Sequence, residues 1–101
     1  MLHSSLISDL HYNEDHAIIY DLFETPKSSE KAILFRKEQT VDESFFLANG
    51  VVEVFAGIIE ITHENEAVKT FDKGDLFFLE INSKFTIKAK VNTILRYTVF
   101  K

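Results

Sequence analysis

The sequence predicts an all-β domain, a sandwich or closed barrel of about eight short strands, and three observations carry that prediction. Turn signals recur at short intervals, and the segments between them are rich in β-branched and aromatic residues that suit a pleated surface. Several of those segments alternate apolar and polar residues with the period of two that a strand with one wet face requires. No segment carries a clear helical period.

The opening residues are ambiguous between a short helix and a further strand, so residues 1–16 are expected to form an arm and residues 17–100 the barrel. Strands are predicted at AIIYDLF and KAILFRK, with the polar loop TPKSSEK and its Pro26 between them. In FFLANGVVEV, Asn49-Gly50 can adopt the two positive φ values of a type I′ turn and join its flanks into a hairpin. VVEVFAGIIEIT alternates except at Ala56-Gly57, which predicts one long strand bent at a bulge, with a hairpin there as the alternative. HENE then turns the chain into AVKTF. All 3 Gly fall at apparent turns or bends, the places where backbone geometry asks for them.

Gly74-Asp75 turns the chain into LFFL, and INSK turns it again into FTIKAKV. There Phe85, Ile87, Ala89 and Val91 share one face, and Thr86, Lys88 and Lys90 share the other. Asn92-Thr93 leads into ILRYTVFK, whose Leu95, Tyr97 and Val99 point inward if Arg96 and Thr98 meet water. Both FFLA and LFFL read as apolar on two faces, so something must cover their outer side. A second copy of the chain would do this, and so would the N-terminal segment.

At 101 residues the chain is one domain, large enough to bury about 60 to 70% of its unfolded surface. A hydrophobic fraction of 46%, with 10 Phe and no Trp, supports a packed core. The formal net charge of -5, with no Lys/Arg-rich run, argues against nucleic acid and against an acidic membrane surface. Neither a spanning stretch nor a signal-peptide pattern is present in the sequence, so a cytoplasmic protein is expected. Zero Cys excludes disulfides, thiolate metal sites and a Cys nucleophile.

DESFFLANG and KGDLFFLEINSKFTIKA also carry a family resemblance. The first motif of the cupins is commonly written G-x5-H-x-H-x3,4-E-x6-G, and Glu43, SFFLAN and Gly50 match its end. The second, G-x5-P-x-G-x2-H-x3-N, begins at Gly74 and runs without a gap through Glu80, Asn82 and Phe85 to Ala89. The chain therefore resembles a small single-domain cupin of the RmlC-like type. That resemblance implies a double-stranded β-helix, the jelly-roll barrel, over residues 17–100. Cupin metal sites use the motif histidines and the glutamate. Here the first two histidine positions hold Lys37 and Gln39, or Arg36 and Glu38 in the longer spacing, and the third holds Phe85. Spacing is kept and ligands are lost, which predicts no metal and no cofactor. The outline DESFFLANGVVEV followed by KGD also resembles a cyclic nucleotide-binding domain, but no Arg lies between Gly74 and Phe85 to hold a cyclic phosphate.

The expected function is a metal-independent module, homodimeric, that binds a small molecule or regulates a partner. Its pocket candidates are Lys37, Gln39 and Glu43 at the rim, with Phe45, Phe85, Ile87 and Tyr97 inside beside Leu47. The same bulky side chains fill a barrel equally well, and filling is the simpler account of ten Phe. One alternative is a metal-independent isomerase or lyase using Glu43 and Tyr97 as acid and base. A divergent metal-binding cupin is the other. His3, His11, His16 and His63 fall in termini or turns, where solvated imidazoles are expected. His11 and His16 with Glu14 and Asp15 lack a strand or helix that would fix ligand geometry.

Overall fold

A computed structural model describes every residue except Ser8 and Asn65. It contains nine strands among the described residues: β1 (Ile18–Glu24), β2 (Ser28–Phe35), β3 (Thr40–Asp42), β4 (Gly50–Ala56), β5 (Ile58–His63), β6 (Lys69–Asp72), β7 (Leu76–Leu79), β8 (Phe85–Ala89) and β9 (Thr93–Phe100). All pairings are antiparallel. They form one sheet in the order β1-β2-β9-β4-β7 and a second in the order β3-β8-β5-β6. The chain changes sheet repeatedly, so the two layers close over one shared core. No helix among the described residues is long and apolar enough to cross a membrane.

Period-two alternation explains which residues meet between the sheets. Val52 and Val54 of β4, Leu95 and Tyr97 of β9, Ile59 and Ile61 of β5, and Phe85, Ile87 and Ala89 of β8 all enter the main core. Val91 does not continue this row: β8 stops at Ala89, the chain reverses through residues 90–92, and Val91 is left 40% exposed. Thr93 is fully buried, and its hydroxyl accepts from the Ile58 N–H at 3.2 Å and lies 2.8 Å from the Val91 carbonyl, its acceptor.

The predicted hairpin at Asn49-Gly50 is not formed. Glu43–Phe45 make a 3₁₀ turn, capped by the Asp42 carboxylate that accepts from the Ser44 N–H at 2.9 Å, and FFLA is not a strand. Gly50 opens β4 without a positive φ. Its role is close approach: a Cβ there would lie 2.3 Å from the Thr98 carbonyl oxygen of β9. At Ala56-Gly57 the expected bend with a bulge-like irregularity is present, but the strand is not continuous: β4 ends at Ala56 and β5 begins at Ile58 in the other sheet. A register shift falls between Val54 and Ala56, and Gly57, at φ 102°, carries the chain from the first sheet into the second.

The outer face of the first sheet is covered by the N-terminal segment. Leu6 and Leu10 pack with Ile18, Tyr20, Leu22 and Phe55 over buried Ala32, Leu34 and Ile94. This cover does not extend to β7. Against expectation, LFFL is apolar without being buried on both faces: Leu79 is buried and Phe77 half-buried, whereas Leu76 is 63% and Phe78 59% exposed. The cause is position, since β7 is an edge strand with neither sheet nor arm across its outer side.

Candidate functional site

One end of the second sheet gathers the polar residues. Asp42 pairs with Thr86 across β3 and β8, while Thr62 pairs with Thr86 and His63 with Phe85 across β5 and β8. The 3₁₀ turn that follows Asp42 brings Glu43 to the same place, and Lys84 precedes β8. Together with Glu64 these residues line an open groove of 330 Å³ at the barrel mouth. A second hollow of 540 Å³ adjoins it, sharing Asp42 and Thr86 and reaching Phe45 and His16. Hydrogen bonds from the Ser44 hydroxyl and backbone N–H hold the Asp42 carboxyl below its ordinary range.

Inside the mouth the barrel is filled. Phe46 packs edge-on to Tyr97 with centroids 5.5 Å apart and lies 5.8 Å from Phe85, and Phe45 stands edge-on to Phe46 at 5.4 Å. His63 tilts against Phe85 at 6.0 Å. What remains is a small void of 40 Å³, partly open to the surface, between His63, Phe85, Ile61, Ile87 and β7. Tyr97 is fully buried, its hydroxyl donating to the Ala48 carbonyl and accepting from the Ala48 N–H at 3.3 Å. Burial pushes that phenol above its ordinary value.

The seven predicted pocket residues separate into three groups. Glu43 and Phe85 line the groove, and Phe45 lines the neighbouring hollow. Ile87 and Tyr97 are core, with Phe46 and Phe85 between Tyr97 and the groove. Lys37 and Gln39 belong to the β2–β3 turn, which bonds to Ala89, so they stand beyond the opposite end of β8 from Phe85, about 13 Å along the strand. Gln39 there accepts from the Arg36 N–H at 2.7 Å and donates to the Asn13 carbonyl at 2.8 Å, tying the arm to the barrel. The 3₁₀ turn also reverses the expected facing of its neighbours: Phe46 is the buried ring, and Leu47 is 78% exposed.

His63 is the residue that sequence reasoning passed over. It ends β5 opposite Phe85, not in a solvated turn, and the period-two register of IIEITH against FTIKA was the available signal. Its Nδ1 lies 3.8 Å from Glu66.

Geometry also moves the first cupin motif. Counted back from Gly57 instead of Gly50, the same spacing puts Gly50 at the carboxylate position and Ser44 and Phe46 at the histidine positions. Phe46 is the ring that meets Phe85, so this register brings the motif positions together where the earlier one scatters them. Those positions then offer a single hydroxyl, or in the longer spacing, which selects Glu43 and Phe45, a single carboxylate, and no imidazole in either. Such a set does not fit a divalent transition metal. Among the described residues, no three His, Asp or Glu side chains gather as a metal-ligand group.

No family model matches the sequence, and no curated protein does. Solved structures do match. An RmlC-like cupin protein from Desulfovibrio desulfuricans superposes with a TM-score of 0.81 at 15% identity, covering 99% of this chain and 96% of that one. The chain has the cupin fold. An uncharacterized conserved protein with a double-stranded β-helix domain from Klebsiella pneumoniae agrees, with a TM-score of 0.76 at 14% identity over 97% of this chain and 88% of the other. A cupin 2 conserved barrel domain protein from Leptotrichia buccalis is 24% identical with a TM-score of 0.74; the match spans 91% of this chain but 44% of that one. The jelly-roll expectation thus holds at the level of the cupin fold.

Proposed function

We propose that this cupin-fold chain is a metal-independent, non-enzymatic binding or regulatory module that works as a homodimer and takes a small molecule at the barrel mouth. The observation that carries this reading is the contrast between a void of only 40 Å³, itself partly open to the surface, and the open groove of 330 Å³ beside it. The groove's volume falls within the range of about 300 to 1,000 Å³ typical of small-molecule sites, and the void lies far below it. The groove offers a ring wall from Phe85 and His63, hydroxyls from Thr62 and Thr86, carboxylates from Asp42 and Glu43, and the Lys84 ammonium. These groups suit a compact polar ligand with one flat apolar face. Exposed Leu76 and Phe78 support the dimer, because two large apolar side chains side by side on an edge strand offer a second copy a surface to cover.

Two measurements test the reading. Elemental analysis of protein purified without an affinity tag is expected to find no stoichiometric metal; one iron, manganese or zinc per chain, lost in Glu43→Ala, would overturn metal independence. Amide-shift mapping with aromatic carboxylates, amino acids and monosaccharides is expected to place responses on Thr62, His63, Phe85 and Thr86. Responses confined to other surfaces would remove the groove from consideration.

A further inference from the structure

We infer that the homodimer forms through β7, two copies pairing antiparallel about Phe77 so that their first sheets join into one. The inference rests on the homodimer reading and names its surface. Among the described residues, β7 pairs in the first sheet with β4 on one side and with no strand on the other. Natural edge strands of this kind are guarded by Lys, Pro, a bulge or a covering segment. Leu76-Phe77-Phe78-Leu79 has no charge and no Pro, its pairing with β4 is regular, and the N-terminal arm lies elsewhere on the sheet. Such an edge is a template for another strand, and an identical copy satisfies it under a twofold axis, where each contact occurs twice.

The side chains choose the register. In an antiparallel ladder, directly opposed residues face the same side, so two β7 strands pair either about Phe77 or about Phe78. Pairing about Phe77 lays Leu76 against the partner's Phe78 on the outer face, and covers both of the side chains that the single chain exposes. It also brings the two ends of the strand into charge register. Lys73 precedes β7 and Glu80 follows it; both are exposed, and neither forms an ion pair among the described residues. Asp75, at the Lys73 end, is turned into its own loop, where its carboxylate accepts from the Asp72 N–H at 2.8 Å. Gly74 then falls opposite the partner's Glu80, so Lys73, one residue further into the turn, comes to the same end of the joint as that carboxylate, within reach of its flexible side chain. Pairing about Phe78 would shift the two charges apart by two residues.

The test is sedimentation equilibrium of the full chain, with circular dichroism confirming the fold of each variant. The wild type is expected to be a dimer, and Phe78→Lys to be a monomer over the same concentrations. Lys73→Glu and Glu80→Lys, both at exposed positions, are each expected to weaken dimerisation about tenfold by placing like charges at both ends. The double reversal is expected to restore wild-type affinity to within about threefold. A wild type that dimerises while Phe78→Lys dissociates no more readily would overturn the β7 interface and leave the homodimer standing. A double reversal as weak as the single variants would overturn pairing about Phe77. A strictly monomeric wild type would overturn the homodimer and this interface together.

Discussion

Tyr97 brings a phenol hydroxyl into a core otherwise built of aliphatic and phenyl side chains, and the Ala48 backbone satisfies it from both sides. Tyr97→Phe keeps the ring's contacts with Phe46 and removes those bonds, leaving the Ala48 groups to find other partners. A loss of about 1 to 2 kcal/mol in denaturant unfolding is expected. The pH dependence carries a sign. Burial raises the folded phenol above its ordinary value of 10.0, so between that pH and the folded value the unfolded chain has lost a proton that the folded chain retains. Tyr97 therefore contributes its full stability below about pH 10 and loses it as the pH rises through the folded value. Unfolding followed from pH 9 upward should show a steeper alkaline decline in the wild type than in Tyr97→Phe; parallel curves would mean that the phenol titrates freely.

Gly50 and Gly74 test how single positions set the strands. At Gly50 an added Cβ meets the Thr98 carbonyl oxygen at 2.3 Å and the Tyr97 ring at 2.9 Å, so Gly50→Ala must push β4 from β9 in the middle of the sheet. At Gly74 the φ is 94° and nothing lies within 4 Å, so Gly74→Ala meets backbone strain alone. About 1 kcal/mol is expected for Gly74→Ala and roughly 2 to 4 kcal/mol for Gly50→Ala, compared by thermal or denaturant unfolding. Reversed magnitudes would contradict the close approach of β9. These two glycines also show what was legible in the sequence. KGD was correctly read as a turn, because the φ it needs is a local property. Asn-Gly at residues 49–50 has the local signature of a hairpin, yet Gly50 answers to a strand distant in sequence, and no window of local pattern contains Thr98. FTIKA and ILRYTVF were legible for the reason that KGD was: their alternation is local, and burial follows it. The groove was half legible. Glu43 and Phe85 came from motif spacing, whereas His63 joins them only through the β5–β8 register, and Lys37 and Gln39 were misplaced when the motif was anchored on Gly50 instead of Gly57.

At the scale of the whole molecule, the chain has the cupin fold, and side chains that face the centre of the barrel belong to its core. At Gly50, the carboxylate position of the motif counted from Gly57, no side chain fits while β9 remains where it is. Phe46 and Phe85 then occupy the space that ligands would need, and Tyr97 is locked behind them. If these rings plug the barrel, removing one should convert a filled interior into a dry cavity. Phe46→Ala is expected to cost about 3 to 5 kcal/mol, measured by denaturant unfolding, because two hydrogen-bonded sheets resist collapsing into the gap between them. A cavity of this kind, bordered by the rings of Phe45, Phe85 and Tyr97, binds a small apolar probe in preference to water. Benzene should therefore raise the melting temperature of Phe46→Ala in proportion to its occupancy and leave the wild type unchanged. A wild type that benzene stabilises equally would show an interior already open, and the mouth groove would then be the entrance to a deeper pocket.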